Sequence, residues 1–238
     1  MRNVSITVDD FGISPRANAT MSELVQGGII DRIAVMPHGS ISPEEASHLL
    51  RSGVKIDLHL DMSEDIDPNR KLSDGVIGRG FRFLREYCFG SGRPKQVHAV
   101  WEQQIRAFET LFGRLPDGFN SHQHIHFFPP YFRVMLALAK RHGIRHVRFG
   151  RYLSGQPNLV AIILDALRGW NRKRFEKSAL ATSDYLISAD WLPGLDFETY
   201  AMNIPKDRTA EFIFHPEREN EFHFLKDIAR KTSRRVGE

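Results

Sequence analysis

The chain has 238 residues, 41% of them hydrophobic, a length that can bury one large core and that fits a single α/β barrel domain. Its 33 basic and 29 acidic residues give a formal charge of +4, an excess too modest to indicate a nucleic-acid partner. The single cysteine excludes an intrachain disulfide. We therefore expect one domain over residues 1–238, in a reducing compartment.

Two observations bear on membranes and location. The only early apolar run is interrupted by Asp9 and Asp10, so the sequence predicts no signal peptide. No apolar stretch is longer than the one from Leu159 to Leu164, which is far shorter than the about 20 residues that a membrane span needs. We expect a cytoplasmic protein without a membrane span.

The first half of the chain alternates between strand and helix patterns. Val4, Ile6 and Val8 alternate with polar residues, which predicts a strand. The following elements are predicted by caps and periodicity: a helix from Ser14-Pro15 to Gly27-Gly28, a strand over 33–36, and a helix that opens with a capping box at 42–45 and ends near Gly53. A β-α-β-α order begins here.

The segment from Val54 to Asp61 alternates strictly between apolar and polar residues, which is typical of a strand. In a small parallel barrel its polar face can point into the lumen, and His59 then lies near the catalytic mouth. The next segment, 62–96, is rich in glycine and arginine and is too long for an ordinary loop between a strand and a helix. We predict that it forms an active-site loop or lid.

The second half continues the alternation. The predicted elements are a helix over 97–112, a short strand over 118–121, a helix after Pro129-Pro130, a strand over 144–149, a helix over 158–172, and strands over 185–187 and 210–214. About seven such units without internal repeats favour a distorted TIM-like (β/α) barrel over a doubly wound sheet. No GxGxxG motif follows the first strand, so a dinucleotide-binding fold is not predicted.

Acidic and histidine side chains fall at or just beyond the predicted strand ends, where such barrels build their active sites. They are Asp9-Asp10, His59, the cluster over 122–126 and His215. One carboxylate with two histidines forms a ligand set that suits a divalent ion and leaves positions open for water and substrate. The prolines after the cluster argue against a helix there, so the HExxH pattern of zinc proteases does not apply.

Four motifs together carry a family resemblance: Asp9-Asp10-Phe11-Gly12, the strand around His59, the segment Asn120-Ser121-His122-Gln123-His124-Ile125-His126, and His215-Pro216. In these the chain resembles the YdjC-like carbohydrate deacetylases, which include chitooligosaccharide deacetylases and a deacetylase associated with hopanoid biosynthesis. The resemblance implies a hydrolase that removes an N-acetyl group from an amino sugar, a chitooligosaccharide or a glycolipid head group.

The resemblance also implies residue roles. Asp10, His59 and His122 would bind one divalent metal ion, Mg²⁺ or Zn²⁺, while Asp9 would act as general base and His215 as general acid. Four further residues are candidates for contacting the substrate or orienting the ligands: His124, His126, Arg148 and Trp191. Tryptophan is included because aromatic faces stack on sugar rings, and arginine because it binds acidic substituents.

Two alternatives stay open at this point. One is a different metal-dependent barrel hydrolase, such as a phosphoesterase, although such enzymes usually carry HxH at the end of the first strand where this chain has Asp9-Asp10. The other is a sugar-binding barrel without activity. The sequence does not decide between a monomer and a homodimer, nor between the two metals.

Overall fold

The computed structural model describes residues 3–62, 93–192 and 197–236. Most of the predicted lid over 62–96 lies outside these ranges, so the lid stays a prediction. Its last residues, from Pro94 onward, already belong to a long helix. Within the described ranges, no helix has the length and apolar composition that a membrane crossing requires.

Strands and helices alternate along the chain. The strands are β1 (Val4–Phe11), β2 (Arg32–Val35), β3 (Lys55–Leu60), β4 (Phe119–Ser121), β5 (Arg151–Tyr152), β6 (Tyr185–Ser188) and β7 (Ala210–Phe214). The helices are α1 (Pro15–Gln26), α2 (Pro43–Ser52), α3 (Pro94–Phe112), α4 (Pro129–His142), α5 (Leu159–Glu176), α6 (Phe197–Met202) and α7 (Glu219–Val236). Short 3₁₀ segments cover His122–Phe127 and Ala189–Trp191.

The strands described here form one sheet in the order β4-β3-β2-β1-β7-β6-β5, and every pair of neighbours is parallel. The chain just before β5 joins its two edges. Phe119 N in β4 donates to His146 O at 3.0 Å, and Val147 N donates to Ala181 O, ahead of β6, at 3.0 Å. The sheet therefore curls into a distorted TIM-like barrel, which confirms the predicted fold class.

Local sequence explains where the elements begin and end. At the start of α2, Ser42 Oγ accepts from Glu45 N at 3.2 Å, while Ser42 N donates to Glu45 Oε2 at 2.7 Å. This confirms the predicted capping box, which satisfies two backbone N–H groups that a helix start leaves free. Gly53 ends the helix in the left-handed conformation, where glycine meets no Cβ penalty.

The polar face of β3 points into the barrel, as predicted. Asp57 and His59 are both buried, and they alternate with Ile56 and Leu58, which belong to the main hydrophobic core. The strand thus has apolar residues on the face packed against the helices and polar residues in the lumen. This alternation determines which side chains can meet at the mouth of the barrel.

One predicted strand is less regular than expected. Residues 144–149 contribute only isolated bridges, at His146 and Val147, and the regular strand β5 begins at Arg151. The backbone approaches its neighbour closely at Gly150, where a Cβ atom would lie 2.5 Å from Ser183 O. The segment changes partner over these few residues, and a continuous ladder cannot form across that change.

Candidate metal centre

The end of β1 is irregular at the two neighbouring aspartates. The pairing of β1 with β2 shifts register between Val8 and Phe11, and Asp10 has a φ angle of 68°, in the left-handed region. Aspartate tolerates this conformation better than most residues. Gly12 follows with a φ of 104°, and a Cβ there would lie 2.6 Å from Met36 O, so only glycine fits the turn.

Three side chains from three separate strand ends meet at the mouth of the barrel. Asp10 Oδ1 lies 3.1 Å from His59 Nε2 and 2.9 Å from His122 Nδ1. The candidate ligand atoms of Asp10, His59 and His122 all lie within 4.8 Å of one another. One oxygen of Asp10 is therefore shared by two imidazoles that are distant in sequence. His59 is 49 positions from Asp10 and His122 is 112 positions from it.

Asn120 fixes the orientation of the His59 ring. The two residues are paired directly across β3 and β4, and His59 Nδ1 donates to Asn120 Oδ1 at 2.6 Å. A proton on Nδ1 leaves the lone pair on Nε2, the nitrogen that faces Asp10. This is the tautomer that binds a metal ion through Nε2, and such second hydrogen bonds typically orient metal-binding histidines.

The Asp10 carboxylate favours a positive charge beside it. Burial alone would raise the pKa of Asp10 and lower that of His122, but the attraction between the two outweighs burial. The pKa of Asp10 lies well below its usual range, and that of His122 rises to about 9. A proton on His122 thus supplies the positive charge at the place where a cation could bind.

These residues fit a divalent ion on chemical grounds. The donor set is one carboxylate and two imidazoles, which zinc and other borderline ions accept. The tautomer of His59 is correct for binding, and the carboxylate is ionised. Three protein donors leave further coordination positions for water or substrate.

Asp9 faces a different partner from Asp10. Arg148 donates to both of its oxygens, Nη1 to Oδ2 at 2.6 Å and Nη2 to Oδ1 at 2.9 Å. The same guanidinium also binds Glu211, through Nε at 2.8 Å and Nη2 at 2.7 Å. All three side chains are buried. Arg148 therefore holds Asp9 in place, and the expectation that it meets acidic substituents of a substrate does not fit its burial.

This pair sets the protonation of Asp9. Burial raises the pKa of the Asp9 carboxyl. The charge of Arg148 and its two hydrogen bonds have the opposite and larger effect, and the pKa falls to about 2. Asp9 is therefore ionised across the whole physiological pH range and can accept a proton from a donor in front of it.

A second buried ion pair lies deeper in the lumen. Arg32 Nε donates to Asp57 Oδ2 at 2.8 Å, and Arg32 Nη2 lies 3.3 Å from His146 Nδ1. Gly118 packs directly against this group, since a Cβ there would lie within 2.9 Å of both Arg32 and Asp57. The charges below the mouth are thus paired within the protein.

Of the other two histidines of the cluster, His126 is buried and His124 is half-buried, and both are neutral at pH 7. His126 Nε2 donates to Arg148 O at 2.8 Å, and its Nδ1 lies 2.5 Å from Ser121 Oγ. His124 Nδ1 lies 2.9 Å from the hydroxyl of Tyr152. Burial lowers the pKa of each histidine to about 3. The left-handed backbone at Gln123 and His124 separates these rings from His122 and confirms that no regular helix forms here.

Trp191 belongs to an aromatic group beside the mouth. Its ring centroid lies 5.1 Å from that of Tyr152 and 6.2 Å from that of His124. Trp191 itself is partly exposed, whereas Tyr152 is buried. The exposed part of the indole can contact a ligand in the way that aromatic faces contact sugars.

His215 follows β7, the strand that pairs with β1 on the side opposite β2. Its backbone N–H donates to Glu221 Oε2 at 2.7 Å, and its Nδ1 stays 4.0 Å from the same oxygen. Among the described residues, neither His215 Nδ1 nor the buried Glu217 Oε2 has a hydrogen-bond partner. Burial and the nearby charge of Asp10 raise the pKa of Glu217.

Sequence reasoning missed several contributors to this site. It did not single out Asn120 as the partner of His59, nor Glu211 and Tyr152, nor Glu217 in the turn after β7. Asn120 could have been found from its place in β4 opposite His59, because both occupy the inward face. Glu211 gave no signal, since a lone acidic residue within an apolar strand matches no motif.

The fold and the site together define a parallel α/β barrel with a candidate metal centre at the C-terminal ends of its strands. A model of the family described as YdjC-like protein matches residues 3–238. The chain therefore belongs to the YdjC-like protein family, as its motifs predicted.

Named relatives support the same family. The chain is 27% identical over 151 residues to a carbohydrate deacetylase of Homo sapiens, an alignment that covers 60% of this chain and 47% of the relative. It is 28% identical over 145 residues to a chitooligosaccharide deacetylase of Serratia marcescens, which covers 58% of this chain and 56% of the relative. The matched region spans about half the length of these curated relatives.

A solved structure supports the fold. An Enterococcus faecalis V583 protein, provisionally named for cellobiose-phosphate cleavage, superposes with a TM-score of 0.58 at 18% identity. The superposition covers 90% of this chain and 80% of that protein. At this identity the likeness concerns the fold alone.

Proposed function

We propose that this protein is a metal-dependent deacetylase that hydrolyses the N-acetyl group of an acetylated carbohydrate, with Asp10, His59 and His122 binding one divalent ion. The observation that carries the proposal is the shared Asp10 oxygen, which lies within 3.1 Å of both His59 Nε2 and His122 Nδ1, with the ionised Asp9 next to it in sequence. The names of the relatives in the family supply the reaction class.

The bound ion would supply positive charge that polarises an acetyl carbonyl oxygen and acidifies a water molecule. The chain's own residues do the rest. Asp9, held by Arg148, accepts the proton of the attacking water, and its two hydrogen bonds keep its carboxylate in one orientation. Because its pKa is about 2, it is never blocked by a proton at neutral pH.

His215 serves as the general acid that protonates the leaving amine. It directly follows β7, the neighbour of β1 in the sheet, so His215 and the two aspartates come from adjacent strand ends. A positive charge on His215 would lower the pKa of Asp9. General acids of this kind typically contribute about 10²- to 10⁴-fold to the rate.

The partly exposed Trp191 would stack on a sugar ring, with Tyr152 and His124 supporting it from behind. His126 then acts within the protein, because both of its ring nitrogens are engaged by Ser121 and the Arg148 carbonyl. Amino sugars, chitooligosaccharides and glycolipid head groups all offer the required N-acetyl group. The proposal includes a cytoplasmic location and either Mg²⁺ or Zn²⁺ as the bound ion.

The test combines metal content with acetate release from N-acetylglucosamine oligomers, measured on the purified protein. We expect one divalent ion per chain and acetate release that a chelator abolishes and added metal restores. His122→Gln should lose both metal and activity, whereas His223→Gln, at an exposed histidine of α7, should keep both. Metal binding without acetate release from any acetylated sugar would favour another barrel hydrolase. Absence of both would favour the sugar-binding barrel.

A further inference from the structure

The outer face of α5 carries large apolar side chains that the barrel does not cover. Leu159 is 60% exposed, Ile162 63% and Trp170 70%, and Ile163 is exposed as well. Isolated exposed apolar residues are common on protein surfaces, but these four lie on one face of a single helix. Such patches mark surfaces that meet a partner or a membrane.

The sequence of α5 places these residues on one side. Leu159, Ile163, Ala166, Trp170, Lys173 and Lys177 are spaced by alternating steps of four and three, so they form one stripe along the helix, and Ile162 lies beside it. The first part of the stripe is apolar and the last part is basic. Arg172 and Arg174 flank the basic end. We refer to this row of residues, with Ile162, as the α5 stripe.

The charges of the stripe point to an anionic partner. The acidic residues of the helix are already paired: Asp165 Oδ1 lies 3.8 Å from Arg151 Nε, and Glu176 Oε1 lies 2.8 Å from Arg172 Nε. Lys173 and Lys177 are exposed, and no carboxylate in the part of the chain that the structure describes pairs with them. A second copy of α5 would therefore bring more positive charge and no unpaired acid to these lysines.

Apolar and basic residues on one exposed helix face are the pattern of a helix that lies in the surface of a bilayer. Leucine, isoleucine and tryptophan enter the boundary between head groups and acyl chains, while lysine and arginine bind anionic head groups. The stripe is too short and too charged to cross the bilayer. We propose that the α5 stripe docks this protein on the surface of an anionic phospholipid membrane.

The docking would place the active-site mouth near the bilayer. Helices of a parallel barrel begin at the end of the barrel where the strands finish, so Leu159 and Ile162 lie at the mouth end. The loop before α5 contacts the rim directly, because Gly155 N donates to Trp191 O at 3.3 Å. Vesicle binding does not depend on the proposed deacetylation, since it can be measured without turnover.

The test is co-sedimentation of the full chain with vesicles of phosphatidylcholine alone and of phosphatidylcholine with about a quarter phosphatidylglycerol. We expect binding to the anionic vesicles only, and we expect added salt to weaken it. Lys173→Glu with Lys177→Glu should lower the partition coefficient about tenfold or more, since each basic residue near an anionic surface raises it about fivefold. Ile162→Ser with Trp170→Ser should lower it comparably.

Met202 offers a matched control. It is 78% exposed but belongs to α6 and not to the stripe, so Met202→Ser should leave vesicle binding unchanged. Trp170 offers an independent readout, because its fluorescence should shift to the blue on addition of anionic vesicles and the shift should vanish in Trp170→Phe. Circular dichroism checks that each variant is folded.

Three results would overturn the proposal: no binding of the folded protein to anionic vesicles, equal binding to both vesicle types, or equal loss of binding in Met202→Ser. A dimer that the stripe variants dissociate, without vesicle binding, would assign the surface to a second copy of the chain. Loss of acetate release with vesicle binding intact would count against the proposed function alone.

Discussion

The two adjacent aspartates belong to two regions of the barrel that use the same residue types differently. At the mouth, Asp10 faces His59 and His122, side chains that can give a lone pair to a cation. Below it, Asp9 and Glu211 face the guanidinium of Arg148, which is permanently charged and offers no lone pair. The partner, and not the acid, decides whether a buried carboxylate is available to a metal ion.

The largest expected effect concerns the lower region. Arg148→Met leaves two buried carboxylates without their counter-charge, and breaking such a pair typically costs about 3–5 kcal/mol. Denaturant unfolding should therefore show a large fall in the free energy of unfolding. Arg16→Met removes an exposed pair with Glu219 and should change it little. Equal losses in the two variants would mean that the lower region is not a buried ion-pair network.

The next effect separates the two aspartates. Asp9→Asn should keep the metal while kcat falls by about 10²-fold or more, because an amide cannot accept the proton of the attacking water. Asp10→Asn should weaken metal binding and recover partly in excess metal. Metal stoichiometry and acetate release are measured on both folded variants. If Asp9→Asn loses its metal or Asp10→Asn keeps full occupancy, the roles are reversed.

A smaller effect concerns the support of the mouth. Asn120→Ala removes the hydrogen bond that fixes the ring of His59, and loss of such a bond typically lowers metal affinity by about 10- to 100-fold. Titration of the metal-free protein with Zn²⁺ measures this. Asn171→Ala is the matched control, since it removes a buried amide that binds Phe127 O away from the centre. Unchanged affinity in Asn120→Ala would show that His59 needs no such support.

The last effect appears only at acid pH and is a pH dependence of stability. The pKa of His126 falls from 6.5 in the unfolded chain to about 3 in the folded one, because burial disfavours its charged form. The unfolded state therefore binds more protons between these values. The stabilising contribution is present above pH 6.5 and is lost as the pH falls towards 3, at up to about 1.4 kcal/mol per pH unit.

His126→Gln should flatten this part of the stability profile, measured by urea unfolding between pH 7 and pH 4. His223→Gln removes an exposed histidine and serves as the control. If His126→Gln keeps the same slope as the original chain, burial does not lower the pKa of His126 in the folded protein.

The fold could be predicted because its signals are local. Alternation in β1 and β3, the capping box at Ser42 and the glycine ends of the helices depend on a few neighbouring residues. The placement of Asp10, His59 and His122 also followed, since parallel strands bring their C-terminal ends to one edge of the sheet.

The ion pair between Asp9 and Arg148 could not be predicted in the same way. Its pairing joins Asp9 to Arg148, which is 139 positions away, and the inward direction of Arg148 depends on the irregular segment before β5. Periodicity indicates which face a residue occupies but not which of several charged groups it meets. Residue type alone predicts that Arg148 contacts the substrate or orients other side chains, and its burial between Asp9 and Glu211 favours the second role.

The left-handed backbone at Asp10 limits what evolution can place there. Besides glycine, asparagine and aspartate are the residues that adopt this conformation at least cost, so the backbone admits a very short list of replacements. Of these, asparagine and glycine would keep the turn but give up the charge on which cation binding depends. A descendant that keeps the barrel without the proposed metal site is therefore a single mutational step away, and position 10 is the place to look for related sequences without the proposed activity.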